Sequence, residues 1–456
     1  MRQIREPVLA FTFNSSDKHL PKTVREFREK YKRVSEILDA HLEILIAVHE
    51  DLRKLSVGGR KGRRGDFSTE TILRALVVHA IEGLSLRETV VRIAESEFLQ
   101  EFVRTRKKAV MDHSFLARCL GAIRPETWKR INQLLVTAAV GSQKATGEAI
   151  RADTTVVETN IHWPTDASLL WDTWRVAARL LRRGRALDRK SCPHRFHDKK
   201  IRRLYLLITR YARSQSPQRR RAMKAAYRKL IVRTEWIVGI GEQFCRLAAG
   251  ERDGRLLAVA EKLKGFLPWM QRVVVQARRA QINGEEVPAA ERVFSIFEPH
   301  TELIIRGRRE KPVEFGHKVL LCQTGEKLIT DYEVYERQQA DCALTAAVIE
   351  RHQELFGRRP EVLAGDKGFC PNGEQYAELA KQVGTLAIPR RMGDWADKAL
   401  RAWQAFRAGI EGTISGLKRA FRLARCFYRG FKHFQGAVGL GVFAHNLVVL
   451  AQQGMS

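Results

Sequence analysis

Residues 148–164, EAIRADTTVVETNIHWP, are the first strongly β-branched stretch of the chain, and strand-like patterning does not return until residue 292. A strand cannot satisfy its own backbone N–H and C=O groups, so it must find partners elsewhere in the chain. Here the partners lie beyond about 130 residues whose apolar positions recur at helical spacing. After that interval, strands are expected at 292–297, 301–306, 316–323 (GHKVLLCQ) and 328–335 (LITDYEVY). A helix at 340–356 leads to the apolar run EVLAGD (361–366), a helix at 372–383 and the strand TLAIP (385–389). Helices at about 397–422 and 434–453 complete the chain. A strand meander followed by alternating helix and strand is an α/β layout. The reading is an α/β core with a mixed central sheet flanked by helices, interrupted by a helical insert.

The N-terminal 145 residues read as helices throughout. Residues 24–55 have the period of one long helix or two, and GGRKGRRG (58–65) follows as a basic, glycine-rich linker. Residues 67–102 suggest two helices. The first runs from Ser68 to about Glu82 and stops at Gly83. The second opens with Ser85-Leu86-Arg87-Glu88, where Glu88 can reach back to the Ser85 backbone as a capping box. Helix, glycine-containing turn and helix fit a helix-turn-helix pattern, with a dimerisation hairpin as the competing reading. Further helices are expected at 113–121 and 125–140. The domain division is 1–145 (helical, DNA-binding or dimerising), 146–165 (first part of the core), 166–291 (basic insert) and 292–456 (remainder of the core).

Charge narrows the partner. The chain has 81 Lys and Arg against 51 Asp and Glu, a formal net charge of +30. Between Arg175 and Arg233 there are 21 basic residues and two acids, Asp188 and Asp198, so +19 of the excess lies in one segment. Its apolar positions keep a helical period, and helices are expected at 168–186, 197–213 and 217–250. Such a surface is either a solvated face or a clamp on a polyanion, nucleic acid before an anionic membrane. Arg219, Arg220 and Arg221 are candidate phosphate contacts. No apolar run reaches the roughly 20 residues that span a bilayer. The closest, Gly436 to Leu450, is short and contains His445 and Asn446. The N-terminus has charges on both sides of a brief apolar patch, unlike a secretory signal. Seven scattered cysteines with no C-x-x-C pair read as reduced thiols of a cytoplasmic protein. Cys192, His194 and His197 fit no zinc spacing.

In so basic a chain, three carboxylates need a reason. Asp153 lies at a strand end in IRADTT, Asp366 directly follows the apolar run VLAG, and Glu411 sits in the helix FRAGIEGTISGLKRAF. Carboxyl ends of strands are where open α/β sheets place ligands. Three converging carboxylates would repel one another without cations, and oxygen-only ligands suit Mg²⁺ or Mn²⁺. Two such ions about 3.5–4 Å apart can activate an attacking hydroxyl and stabilise the leaving oxygen of a phosphodiester. Taken singly, each acid is equally readable as a cap or an ion-pair partner.

These segments resemble bacterial insertion-sequence transposases of the DDE type, of an ISNCY-like group. ADTTVVETNIHWPTDASLLWD (152–172) resembles the first-aspartate region, PVEFGHKVLL (312–321) the middle strands and VLAGDKGF (362–369) the second-aspartate region. The third-acid signature of that family is Tyr, two residues, Arg, three residues, Glu, six residues, Lys. Here it reads Gln404, Arg407, Glu411 and Lys418, with every spacing kept and only the Tyr replaced.

The resemblance implies an RNase H-like core in which Asp153, Asp366 and Glu411 hold two divalent ions. Arg407, Lys418 and Lys367 would then contact DNA phosphates. It also implies double-stranded DNA as partner, both transposon ends and target, with a homodimer or larger assembly in synapsis. Glu158, Asn160 and His162 would share one strand face, with His162 either structural or approaching the site. His317 reads as an exposed edge residue, with a substrate contact as the lesser alternative. Competing functions are an RNase H-like nuclease or resolvase without strand transfer, and a DNA-binding protein without catalysis.

Overall fold

The computed structural model describes residues 2–5, 19–56, 67–105, 111–306, 311–390 and 398–453. The linker 58–65 lies outside them. The chain forms two compact units, Met1–Glu158 with His317–Ser456, and Thr159–Gly316.

The first unit opens with seven helices: α1 (Lys22–Ala40), α2 (Leu42–Leu52), α3 (Thr69–Ile81), α4 (Leu86–Ala94), α5 (Glu97–Val103), α6 (His113–Ala122) and α7 (Pro125–Gly141). Periodicity over 24–55 therefore resolves into two helices, broken at His41. The capping box at Ser85 forms in both directions, with Glu88 N donating to Ser85 Oγ at 3.2 Å and Ser85 N to Glu88 Oε2 at 2.7 Å. The expected helix 85–102 is split, because the Ser96 hydroxyl accepts from Leu99 N and starts α5. Every residue of α3 from Thr69 to Ala80 is buried. It encloses Arg74, whose guanidinium pairs with Asp39 at 2.9 Å and Glu70 at 3.3 Å. Of this helical pair, α4 is the one that offers side chains to solvent, among them Arg87, Val91 and Arg92.

β1 (Ala149–Thr159) is a single strand. The second unit follows with α8 (Asp166–Leu187), α9 (Asp198–Tyr211), α10 (Pro217–Ala248) and α11 (Gly254–Arg278). They share a core that includes Trp174, Leu181, Leu230, Phe244, Leu263 and Met270. Gly184 lets α8 approach α10, since a Cβ there would lie 2.4 Å from the Phe244 ring. The expected strand 292–297 is absent. Its backbone groups are satisfied by side chains instead of a ladder: Gln276 accepts from Val293 N at 2.8 Å, and the Ser295 hydroxyl accepts from Phe297 N and Glu298 N. The short strand β2 (Glu302–Ile305) pairs antiparallel with the first four residues of β3 (Val313–Thr324).

The chain continues through β4 (Ile329–Val334), α12 (Thr345–Phe356), β5 (Val362–Ala364), α13 (Gly373–Ala380), β6 (Thr385–Ala387), α14 (Lys398–Arg419), β7 (Arg425–Cys426) and α15 (Phe431–Gln453). In the first unit the strand order is β3-β1-β5-β6, with β4 pairing β3 and β7 pairing β1. β1, β5 and β6 run parallel, whereas β4 is antiparallel to β3. The sheet is mixed, which is compatible with an α/β core.

α15 is longer than the apolar run suggested, and by length and composition it could cross a membrane. In the fold 89% of its most apolar window is buried. Its Leu440, Phe443 and Leu447 join a core with Trp128, Ile131 and Leu135 of α7. Phe434, Val438 and Val442 join another with the β3 and β4 residues Val319, Leu321 and Ile329. Asn446 sits between them fully buried and fully used. Its amide donates to Asn132 Oδ1 at 2.9 Å and Ile329 O at 2.8 Å, and its oxygen accepts from Ile329 N at 2.9 Å. This is the profile of a core helix.

Candidate active site

The parallel register of β1 and β5 sets Arg151 beside Ala364. Two residues further along each chain stand Asp153 and Asp366. Equal offsets on neighbouring parallel strands bring the two carboxylates to the same level of the sheet. Only Asp366 lies just past the carboxyl end of its strand; Asp153, expected at a strand end, sits inside β1, which runs on to Thr159. The third acid comes from α14, one helical turn after Arg407. That arginine spans the gap. Its Nη1 lies 3.2 Å from Asp153 Oδ2 and its Nη2 lies 3.2 Å from Glu411 Oε1.

The electrostatics follow from this placement. Burial pushes the Asp153 carboxyl up from 3.8 to about 6, and the neighbouring charge of Asp366 adds to the rise. The Thr154 N–H, 2.7 Å from Asp153 Oδ1, and the Arg407 guanidinium act in the opposite direction, while Glu411 raises it again. Asp366 Oδ1 is buried with no hydrogen-bond donor. Glu411 is 63% exposed and paired with Arg407. Asp153 is thus a carboxylate held at a cost, beside a second one with a buried oxygen that no donor reaches.

Residues 306–447 match the model of the transposase DDE domain, and residues 18–121 match that of a second transposase domain, DUF772. The chain is an insertion-sequence DDE transposase. No curated protein and no solved structure matches it. The matched DDE segment contains Asp366, Arg407, Glu411 and Lys418, whereas Asp153 precedes it. DDE transposases generally use divalent metal ions. Among the described residues no group of three His, Cys, Asp or Glu is assembled as a ready cation site. The donor set nevertheless has the right chemistry, all carboxylate oxygen with one buried oxygen lacking a partner. Arg407 supplies positive charge between two of the three acids.

Other residues singled out in the sequence fall into three groups. Lys367 is exposed beside Asp366, and Lys418 lies two turns beyond Glu411 on α14, about 10 Å along its axis. Arg219, Arg220 and Arg221 are exposed in the first turn of α10 in the second unit, where Arg219 stacks over Tyr211 and Arg220 donates to Ser214 O at 3.1 Å. The remaining residues do other work. β1 ends at Thr159, so Asn160 and His162 are not part of a strand face with Glu158. His162 is held by Asp172 at 2.7 Å, which raises its pKa, and Glu158 pairs with Arg425 at 2.8 Å. His317 is not an exposed edge residue. It is fully buried, bonded to Tyr335 O at 3.0 Å and packed against Phe431 and Phe434.

Two sets of contacts in the transposase site have no signal in the sequence. Gln404, which stands where the family signature has Tyr, donates to Gly365 O and Ala387 O, each at 3.0 Å. Its amide therefore fastens α14 to the ends of β5 and β6, next to Asp366. Arg151 is buried two residues before Asp153. It donates to Gln323 Oε1 at 2.9 Å and to Phe406 O at 2.7 Å. A Cβ on Gly409 would stand 2.1 Å from Arg151 Nη1. The hydrogen bonds leave that guanidinium no room to retreat. Gly409→Ala is expected to destabilise the chain by about 1–3 kcal/mol through overpacking, read as a lower midpoint in denaturant at unchanged slope. An unchanged midpoint would show that Arg151 moves aside freely.

Proposed function

We propose that this transposase recognises the inverted repeats at the ends of its element, cleaves a phosphodiester to free a 3′-hydroxyl and joins that hydroxyl to target DNA. The observation that carries the reading is Arg407 bridging Asp153 and Glu411 while Asp366 keeps a buried oxygen without a donor. Three acids from β1, the end of β5 and α14, two of them bridged by one basic side chain, fit an RNase H-like DDE centre. Asp153, Asp366 and Glu411 would hold two divalent ions, Mg²⁺ or Mn²⁺. Bound there, the ions supply activation of an attacking oxygen and stabilisation of the leaving one.

The chain's own contribution is placement. Gln404 and Arg151 fix α14 against β5 and β1, so the acids keep their spacing. Arg407, once released from the carboxylates, would take a phosphate near the scissile bond, with Lys367 and Lys418 as further phosphate contacts. Holding two element ends at once calls for a homodimer or a larger assembly on double-stranded DNA. A DNA duplex carrying an element end should be nicked at the 3′ end of the element in Mg²⁺. Random nicking with no preference for that position would reject the reading.

The basic second unit would grip the DNA backbone outside the reaction centre. Neutralising Arg219, Arg220 and Arg221 together is expected to weaken DNA binding. It should flatten the dependence of log affinity on log salt by about one unit for each phosphate that the variant no longer neutralises. A slope that does not change would make this run a solvated face.

A further inference from the structure

A fourth acid lies against the site. Asp341 opens the short 3₁₀ turn Asp341–Leu344 that leads into α12. An acid there would ordinarily be a helix cap. The turn has no side-chain cap, and Ala340 holds the capping position. The Asp341 carboxylate is directed elsewhere. Its Oδ1 accepts from the Thr154 hydroxyl at 3.1 Å and from Lys318 Nζ at 2.9 Å. Lys318 also donates to Gln339 O at 2.8 Å. The pair is 11% exposed at Lys318 and 24% at Asp341, so it is shielded more than a surface ion pair.

Both Asp153 and Asp366 are within reach of this turn. Thr154, whose hydroxyl Asp341 holds, donates its own N–H to Asp153 Oδ1 at 2.7 Å. On the other side, a Cβ built on Gly368 would stand 3.5 Å from Asp341 Oδ2 and 3.1 Å from Asp366 Oδ1. Thr345, at the end of the turn, donates its buried hydroxyl to Phe369 O at 2.7 Å. The turn is therefore tied to β1 beside Asp153 and to the loop that carries Asp366.

We propose that Asp341 is a positioning residue that sets the separation of Asp153 and Asp366, and hence the affinity of the site for divalent cations. It acts through Thr154, with Lys318 holding the Asp341 carboxylate in place, as groups behind metal ligands orient them elsewhere. This rests on the reading that Asp153 and Asp366 hold the ions.

The test is binding of Mn²⁺ to the full chain by calorimetry, alongside DNA cleavage as a function of Mn²⁺ concentration. Asp341→Ala weakens Mn²⁺ binding by about tenfold or more and raises the Mn²⁺ needed for half-maximal cleavage in parallel, while cleavage at saturating Mn²⁺ stays near wild type. Asp341→Asn, which keeps an acceptor oxygen for Thr154 and Lys318, restores most of the affinity. Thr154→Val shifts binding the same way and Thr154→Ser restores it, which serves if Asp341→Ala does not fold. Unchanged Mn²⁺ binding in Asp341→Ala or Thr154→Val overturns the proposal. So does an Asp341→Asn as impaired as the alanine, since charge would then matter more than the hydrogen bond. Asp153→Ala measured in parallel separates the two levels. If it binds Mn²⁺ like wild type, the metal site itself is wrong, and the positioning role goes with it.

Discussion

Changing Asp153, Asp366 or Glu411 singly to alanine abolishes 3′-end cleavage, by a factor on the order of 10³ or more, and leaves affinity for end DNA within about twofold. Groups that act as one unit are strongly non-additive, so each single change should cost nearly as much as all three together. The DNA grip should persist because the basic excess of the chain lies largely elsewhere, with 21 Lys and Arg between Arg175 and Arg233. Cleavage on labelled duplex in gels, paired with equilibrium binding at fixed salt, reads both quantities. A variant that still cleaves removes its residue from the proposed triad. A variant that loses binding as well points to damage beyond the site.

Asp153→Asn is expected to make the metal-free chain more stable at neutral pH, by about 2–3 kcal/mol. Burial and the charge of Asp366 push the Asp153 carboxyl from 3.8 to about 6 in the fold, and each unit of such a shift corresponds to about 1.4 kcal/mol. The sign follows from proton binding. Between about pH 4 and 6 the folded chain holds a proton at Asp153 that the unfolded chain releases. This group's contribution is therefore most favourable below about pH 4 and is lost as pH rises to 6. The amide removes that penalty and flattens the dependence in the same window. Denaturant midpoints of both forms at pH 4.5 and pH 7.5, in chelator, check this. An asparagine variant less stable than wild type at pH 7.5 would mean that the pairing of Asp153 with Arg407 outweighs its burial.

Much of the site could be read locally, and the reason is physical. Asp366 directly follows the apolar run VLAG, and Asp153 is the one acid in the largely apolar and β-branched run AIRADTTVV, so each stands out, although β1 continues past Asp153 to Thr159. Arg407 and Glu411 share a helix at i,i+4, so one spacing specifies both. What escaped were contacts between residues far apart in sequence. Arg151 meets the space beside Gly409, and Gln404 reaches Gly365 and Ala387. Nothing in the residues around any of them announces the partner. Local pattern also misled where side chains replaced a ladder, as Gln276 and Ser295 do over 292–297. His317 read as exposed because strand alternation does not say which face a second layer will cover. Here α15 brings Phe434 against it, with Phe431 beside it. The same burial explains α15, whose composition would suit a bilayer but whose surface is taken up by two cores.

Strand transfer separates a transposase from a nuclease. The substrate is a duplex ending in the element's own inverted repeat, already cut to carry a free 3′-hydroxyl, mixed with plasmid target in Mg²⁺ or Mn²⁺. The expected result is a joined product that depends on the divalent ion and is missing with Asp366→Ala. Cleavage of uncut ends with no joined product from the pre-cut donor would contradict it, leaving a nuclease in place of an enzyme that moves DNA.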